Sequence, residues 1–324
     1  MVNCLLINGP RIINSKSTRR LPCSYYIQMK RIPSKFIIMF SSKFNFLWLV
    51  GVLYLFWCAG CSNINISCAV TDKEALLKLK DGFVDGGDRL STWKSEADCC
   101  EWSGVLCSNL TGHVIKLDLV HYGDSEELRG NIDSSLCDLQ HLTYLNLDFN
   151  NFEGSKIPEC IGSLGQLREL SASGASIGGT IPRGLQNLSS LEYLDLRSTG
   201  LIAKDLEWIS HLSSLRSLNL SGVNLSQAVD WQSSLSKAPH LSEINLDDCA
   251  LISHHVNPAS FVYTNSSTSL KVLSLAGNNL DSSILPWLSN VSNVLTELHL
   301  QDNALEHIFP NALNINSLQG FQIN

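Results

Sequence analysis

Leu142-Thr143-Tyr144-Leu145-Asn146-Leu147-Asp148-Phe149-Asn150 reads L-x-x-L-x-L-x-x-N, and this pattern recurs along most of the 324-residue chain. Full or degenerate copies begin at Leu142, Leu167, Leu191, Leu215, Leu241, Leu270 and Leu295. A weaker copy runs through Val114, Leu117 and Leu119, and a last copy begins at Leu318. A period of about 20 to 29 residues is typical of proteins whose repeats stack into a solenoid.

Each repeat is predicted to contribute one short strand. Side chains alternate along a strand, so the leucines in columns four and six face one way and columns three, five and seven face the other. Stacked repeats then pair their strands and close a continuous apolar core. The expected fold class is an α/β repeat solenoid, a right-handed leucine-rich-repeat arc with short parallel strands on its concave side.

The ninth column favours Asn, as at Asn150, because a buried amide can satisfy backbone groups at the turn that ends the strand. Cys249 occupies the same column in its repeat, where a small buried thiol is an ordinary variant. We therefore expect this column to hold structural residues.

The outward-facing columns nominate a ligand-binding surface, called the concave face below. Its acids, amides and tyrosines suit a protein or peptide partner. The nominated residues are Tyr144, Asn146, Glu169, Tyr193, Asp195, Arg197, Glu243, Asn245, Asp247, Glu297 and His299. The alternative is a solvated face that is polar only because it meets water.

The charges are unevenly distributed along the chain. Eight of the 23 Lys and Arg residues lie at or before Lys43, whereas the first of the 30 acidic residues is Asp72. The chain after Lys43 is therefore strongly acidic, which argues against nucleic acid as a partner because its phosphates would be repelled. The acidic balance fits a soluble surface or a basic partner.

Residues 1–60 are predicted to be a leader. The stretch 44–59 is uncharged and rich in aromatic residues, and Lys43 precedes it. It is shorter than the roughly 20 residues of a membrane-spanning helix and matches the apolar core of a signal peptide running from Met39 to about residue 60. We expect translation to start at Met39, or residues 1–38 to be a mis-annotated extension. The alternative is an uncleaved membrane anchor.

Seven N-x-S/T sequons follow the leader and predict a glycosylated product of the secretory pathway. They lie at Asn65, Asn109, Asn187, Asn219, Asn224, Asn265 and Asn290. Asn219 occupies column five, so a glycan there would cover part of the concave face.

Residues 61–112 differ from the repeats at 113–324, of which we count about eight or nine with the last truncated, and they are predicted to cover the open end of the solenoid. Thr71-Asp72-Lys73-Glu74 has the form of a capping box for a helix that Gly82 can end. The cysteines Cys68, Cys99, Cys100 and Cys107 predict two disulfides in a cap with little core of its own.

Adjacent Cys99 and Cys100 do not readily bridge each other, which leaves two pairings. Of these we favour Cys68–Cys99 with Cys100–Cys107. Zinc is the competing interpretation of these cysteines, but they lack C-x-x-C spacing. Cys137 and Cys160 lie opposite the strands in consecutive repeats and form either a third disulfide or two free thiols.

Asp98 to Leu119 reads D-C-C-E-W-S-G-V-L-C-x-x-x-T-G-H-V-I-K-L-D-L and resembles the plant-type leucine-rich-repeat N-terminal domain. Gly179-Thr180-Ile181-Pro182 matches the G-x-I-P feature of plant extracellular repeats. The segment L-E-W-I-S-H-L-S-S-L, Leu206 to Leu215, is similar to receptor-like proteins related to the plant receptor for fungal xylanase. The resemblance covers about residues 66–324.

This resemblance implies a cell-surface receptor in plant defence or signalling, exposed outside the cell or on the external face of the plasma membrane. Members of the family have a long repeat ectodomain, one membrane helix and no kinase, and are thought to signal through partner kinases. This sequence ends inside an expected strand, at Gln322-Ile323-Asn324. We therefore expect the amino-terminal part of a receptor or the product of a truncated gene.

Membrane association would then come only through a missing C-terminal helix or an uncleaved leader, and a co-receptor kinase would be a partner only of a full-length receptor. Two alternatives stay open. One is a secreted inhibitor of pathogen cell-wall hydrolases resembling the polygalacturonase-inhibiting proteins, and the other is a non-functional relic.

No enzymatic activity is expected. Gly174-Ala175-Ser176-Ile177-Gly178 matches the G-x-S-x-G nucleophile elbow but falls in the loop after a repeat strand, where Ser and Gly are ordinary. His254-His255 lacks an acidic or Cys partner at ligand spacing, and Asp247-Asp248 has a strand-end explanation. The sequence predicts no catalytic residue, no metal and no cofactor.

Overall fold

A computed structural model describes residues 66–123, 125–253, 269–291, 295–305 and 320–322. The predicted leader, the sequons Asn65 and Asn265, and His254-His255 lie outside these residues. The chain divides into two units, residues 1–64 and 65–324, and every described residue belongs to the second. None of the described helices is long and apolar enough to cross a membrane.

Most strands belong to one long sheet that follows the repeats. In chain order the strands are β1 (Phe83–Val84), β2 (Val105–Cys107), β3 (Val114–Asp118), β4 (Arg129–Gly130), β5 (Tyr144–Asn146), β6 (Glu169–Ser171), β7 (Gly178–Thr180), β8 (Tyr193–Asp195), β9 (Gly200–Ile202), β10 (Ser217–Asn219), β11 (Glu243–Asn245), β12 (Val272–Ser274), β13 (Glu297–His299) and β14 (Gly320–Gln322). Ten of them form the sheet in the order β2-β3-β5-β6-β8-β10-β11-β12-β13-β14.

The predicted architecture is confirmed by this sheet. From β3 onward each neighbouring pair is parallel, with one strand per repeat, and β2 of the cap joins β3 antiparallel. Two short sheets lie beside it: β1 pairs antiparallel with β4, and β7 pairs parallel with β9. The second of these includes Gly179 and Thr180 of the G-x-I-P sequence.

The leucine columns form the core. Leu145, Leu170, Leu194 and Leu218 are paired in register on successive strands, and each is at most 3% exposed. The opposite, convex side is built from short 3-10 turns at Ser134–Asp138, Glu159–Ser163, Arg183–Asn187 and Glu207–His211, and from the helices α2 (Trp231–Ser236) and α3 (Leu285–Val291). Burying both sides of each repeat against its neighbours is what holds the stack together.

The ninth column carries the hydrogen bonds expected of it. The Nδ2 of Asn150 donates to the carbonyl oxygens of Leu119 and Leu147 at 2.8 and 2.9 Å, and so links two repeats. Cys249 donates from Sγ to the carbonyl oxygen of Leu220 at 3.1 Å. Its thiol is free and buried, and burial raises the pKa of Cys249 to about 12, so the thiol stays a neutral donor.

The predicted capping box is wrong. Helix α1 (Val70–Asp81) begins after Ala69, with no side chain on its first free amides, and Thr71 lies inside the first turn. The carboxylate of Asp72 is 2% exposed and accepts the backbone N–H of Val114 at 2.8 Å. This first-turn side chain therefore joins the cap to the first repeat. The helix ends at Gly82, as expected.

The cap contains the expected disulfides, Cys68–Cys99 and Cys100–Cys107. Between them, Asp98 accepts the backbone N–H groups of Cys68 and Cys100 on Oδ1, at 2.9 and 3.1 Å. The sulfurs of all four cysteines are thus committed to covalent bonds.

The choice left open at Cys137 and Cys160 is settled as a third disulfide, which joins two neighbouring convex turns. These cysteines lie in the turns Ser134–Asp138 and Glu159–Ser163. The bond therefore links consecutive repeats on the side opposite the sheet.

Candidate ligand-binding face

The nominated residues fall in rows that cross the sheet. Register pairs Tyr144 with Glu169 and Glu169 with Tyr193, and the same strands pair Asn146, Ser171 and Asp195. The rows continue through Glu243, Asn245, Glu297 and His299, with Arg197 and Asp247 just beyond the ends of β8 and β11. Because paired residues point to the same side of a sheet, these side chains share one surface.

The concave face extends further toward the cap than the sequence analysis placed it. Lys116 on β3 lies over the ring of Tyr144, with Nζ 4.1 Å from the ring centroid. The same ammonium pairs with Asp118 at 2.9 Å, and this hydrogen bond raises the pKa of Lys116. The register of the weak first copy puts these two residues in columns three and five, so that copy carried the signal.

Asp148 and Asp247 use their carboxylates to hold the next repeat. Oδ1 of Asp148 accepts the hydroxyl of Ser171 at 2.6 Å and the backbone N–H of Ser173 at 2.7 Å. Oδ1 of Asp247 accepts Ser274 Oγ at 2.5 Å and Ala276 N at 2.9 Å in the same way. A column-seven aspartate thus supports the strand end, as the sequence suggested for Asp247, and leaves Oδ2 for other contacts.

The centre of the concave face is a triad of Tyr193, Asp195 and Arg197. Asp195 is 1% exposed, although the sequence analysis treated it as a surface residue. Its Oδ2 lies 3.2 Å from the hydroxyl of Tyr193 and 3.3 Å from Nε of Arg197. Burial raises the pKa of the Asp195 carboxyl and raises the pKa of Tyr193 to about 12.

The triad combines one buried carboxylate with two exposed side chains. Tyr193 is 37% exposed and stays a neutral hydrogen-bond donor, and Arg197 is also exposed. Nε of Arg197 also donates to Ser173 Oγ, in the preceding repeat, at 2.9 Å. Asp195 therefore positions Tyr193 and Arg197, and those two side chains are available to a partner.

A row of alternating charge lies one column before the nominated residues and was missed by the sequence analysis. Nη1 of Arg168 is 2.7 Å from Oε1 of Glu192, and Nε of Arg216 is 3.9 Å from Oε2 of the same carboxylate. The three residues come from consecutive repeats. Their equal column position was the signal that could have identified them.

The later repeats add acidic side chains to the concave face. Glu243 accepts the side-chain amide of Asn245 at 3.0 Å and the hydroxyl of Ser217 at 3.4 Å. Glu297 lies 3.8 Å from Nε2 of His299. The nominated residues thus carry more carboxylates than guanidinium groups.

Comparisons with known proteins find similarity to two repeat-protein families and to plant receptor-like proteins. The leucine rich repeat N-terminal domain matches residues 70–108, and the leucine rich repeat matches residues 141–164 and 269–291. Receptor-like protein EIX1 of Solanum lycopersicum is 40% identical over 275 residues, which cover 81% of this chain and 26% of the relative. Receptor-like protein EIX2 of the same organism is 43% identical over 246 residues, which cover 74% and 24%. Over most of its length the chain is similar to the amino-acid sequences of these plant receptor-like proteins.

The chain spans about a quarter of the length of the curated relatives it matches. Its fold is also similar to that of a solved plant ice-binding protein, with a TM-score of 0.65 and 26% identity over 80% of this chain and 79% of that chain. The similarity supports the solenoid architecture.

The described sequons differ in exposure. Asn109, Asn187 and Asn224 are exposed. Asn219 is half-buried on β10, where its Oδ1 accepts the backbone N–H of Ser221 at 3.0 Å. Asn290 lies in α3. The side chain of Asn219 is thus engaged in a hydrogen bond within the concave face.

Proposed function

We propose that this chain is an extracellular ligand-binding part of a plant receptor-like protein in defence or signalling, and that the concave face binds a protein or peptide. The observation that carries the proposal is the central triad. The buried Asp195 holds Tyr193 and Arg197 in place, so a partner meets an aromatic ring and a guanidinium whose positions are already set. Tyr and Arg are enriched among residues that dominate binding energy, and preorganisation lowers the cost of binding.

The partner is proposed to carry basic groups. Glu169, Glu243 and Glu297 share one row of the sheet, and Glu169 and Glu297 are exposed. Acidic rows of this kind speed and orient the approach of a positively charged partner. The family adds a co-receptor kinase as a second partner of a full-length receptor.

The chain is further proposed to lack enzymatic activity. Ser176 of the nucleophile-elbow sequence is exposed in the loop after β6, and its backbone carbonyl accepts the N–H of Gly154 at 2.8 Å. That contact is a repeat-to-repeat hydrogen bond of the solenoid. It gives this sequence a structural reason that is independent of catalysis.

Binding of secreted full chain to fungal xylanase and to fungal polygalacturonase tests the proposal. Tyr193→Ala and Arg197→Ala are each expected to weaken, at least tenfold, the affinity for the enzyme that binds. This corresponds to about 1.4 kcal/mol or more of binding free energy. Arg129→Ala is the matched control, because Arg129 is an exposed arginine on β4, outside the ten-stranded sheet.

The two probes also separate the receptor from the inhibitor alternative. Inhibition of polygalacturonase activity, with no binding of xylanase, would favour the secreted inhibitor. Equal affinity of the wild type and both concave-face variants would show that the ligand binds elsewhere.

A further inference from the structure

A cavity of about 470 Å³ lies away from the concave face, at the ends of β7 and β9. Its walls come from two successive convex turns, Arg183–Asn187 and Glu207–His211, and from the segment that joins β9 to the second turn. Its volume falls within the roughly 300–1,000 Å³ of small-molecule sites. The proposed function makes no use of this cavity.

The cavity exists because one convex turn has a glycine at its second position and the next turn has a tryptophan there. The turns Glu159–Ser163 and Arg183–Asn187 touch backbone to backbone, and a Cβ on Gly184 would overlap the carbonyl oxygen of Glu159. The equivalent second residue of the next turn is Trp208. An indole cannot enter the space that a hydrogen atom fills at Gly184, so the turns separate and Trp208 lines the gap.

The connection from β9 to the next turn is also longer. Register pairs Thr180 with Ile202. The first turn begins at Arg183, directly after Ile181 and Pro182, whereas four residues separate Ile202 from the second turn at Glu207. The added residues include Lys204 and Asp205, and both line the cavity. The opening is therefore built into the chain by its sequence.

The lining combines an apolar floor with a polar rim. Ile181, Ala203 and Trp208 are at most 9% exposed and form the floor. The indole Nε1 of Trp208 is a buried donor with no hydrogen-bond partner in the part of the chain that the structure describes. This atom is not exposed to the cavity, so the polar groups that a ligand would meet are those of the rim.

The rim carries exposed planar groups that are positively charged, negatively charged or neutral. They include Arg183, Gln186, Asp205 and Glu207. Glu207 is already paired with Lys237 at 3.1 Å, and the remaining lining charges, Arg183 and Lys204 against Glu159 and Asp205, balance. A strongly charged ligand would therefore gain little Coulombic energy here, whereas a neutral polar ligand would find both donors and acceptors.

We propose that this cavity is a binding site for a short neutral saccharide. Each sugar hydroxyl both donates and accepts, which suits a rim of guanidinium, amide and carboxylate groups, and the C–H side of a sugar ring suits the apolar floor. Two sources share this chemistry. One is a free oligosaccharide, and the other is the chain's own N-glycan on Asn224. The backbone of Asn224 forms a parallel β-bridge with Ile202, which lines the cavity.

Calorimetric titration of the secreted full chain with cellobiose and with N,N′-diacetylchitobiose tests the site. Gln186→Trp, which fills the mouth from an exposed position, and Asp205→Ala, which removes a rim acceptor, are each expected to weaken binding at least tenfold. Asp138→Ala, at an exposed aspartate on the earlier convex turn Ser134–Asp138, is expected to change it less than twofold. Melting temperatures of all variants establish that each one is folded.

Sequon variants distinguish the two sources. Binding by the glycosylated wild type identifies a free saccharide as the ligand. Binding that appears only in Asn224→Gln, and not in the matched sequon variant Asn187→Gln, identifies the chain's own glycan as the occupant. Absence of binding in every form, or binding that Gln186→Trp and Asp205→Ala both leave unchanged, would overturn the proposal. None of these results depends on whether the concave face binds a protein.

Discussion

The carboxylate of Asp72 in the cap accepts the backbone N–H of Val114, the first residue of the first repeat strand, at 2.8 Å. The same carboxylate lies 3.2 Å from Nδ1 of His113, and Asp72 is 2% exposed. One buried side chain thus connects helix α1 to the sheet. The cap is fixed to the solenoid by this polar contact as well as by apolar packing.

Asp72→Ala is expected to lower the free energy of unfolding by about 1–3 kcal/mol, because the buried N–H of Val114 loses its acceptor. Chemical denaturation of the secreted protein measures the change. Glu74→Ala is the control, since Glu74 is exposed and does not cap the helix. It should alter the free energy of unfolding by less than about 0.5 kcal/mol. A larger loss for Glu74→Ala than for Asp72→Ala would restore the capping box.

Cys100→Ser is expected to prevent secretion of folded protein. The variant loses the Cys100–Cys107 bond in a cap of small size, where one disulfide typically contributes about 2–5 kcal/mol. Immunoblotting of the medium and of the cell fraction measures the outcome. Cys249→Ser is the control, because Cys249 is a free thiol and serine keeps a donor for the carbonyl oxygen of Leu220. Normal secretion of Cys100→Ser would contradict the role given to this bond.

The repeat register and the core could be predicted from sequence because they follow from local alternation. A leucine every second or third position has one way to face inward, and Leu145, Leu170 and Leu194 are buried accordingly. The face of the strand residues followed from the same rule. The sequence therefore specified which side chains share the concave face.

The remaining features depend on contacts between residues far apart in the chain. Thr71-Asp72-Lys73-Glu74 fits a capping box locally, but Asp72 is engaged by Val114, 42 residues away. Asp195 occupies an outward column yet is buried, because Tyr193 and Arg197 close over it. The repeat pattern describes each column separately and gives no information on contacts between side chains of different columns. Neither outcome could therefore be predicted from it.

Asn150→Ala is expected to lower the free energy of unfolding by about 3 kcal/mol, since it breaks a buried network that spans the cap and two repeats. Oδ1 of Asn150 accepts hydrogen bonds from Nη1 of Arg89 at 2.7 Å and from the backbone N–H of Leu128 at 3.1 Å, while Nδ2 donates to three backbone carbonyl oxygens. Urea unfolding measures the loss. Asn151→Ala, at the adjacent half-buried position, should cost under about 0.5 kcal/mol. Equal losses of unfolding free energy at the two positions would show that the column-nine asparagine has no special structural role.

The stability of the protein is expected to depend on the ionisation of Asp195. Burial raises the pKa of this carboxyl in the folded state, so the folded protein holds its proton to a higher pH than the unfolded chain does. Between the unfolded and folded pKa values the native state binds more protons, and the free energy of unfolding therefore falls as the pH rises through that window. Below the window both states are protonated, so the folded protein bears no penalty for burying a charged carboxylate. Above the folded pKa the penalty is present in full.

Asp195→Asn removes this titration, so the difference in unfolding free energy between wild type and variant should shift in favour of the variant as the pH rises above the unfolded value of about 3.9. Urea midpoints from pH 3.5 upward measure the difference. Ligand binding gives a second readout, since loss of the carboxylate frees Tyr193 and Arg197 from their common partner. A pH-independent difference would show that Asp195 is charged in both states, with Arg197 compensating fully for its burial.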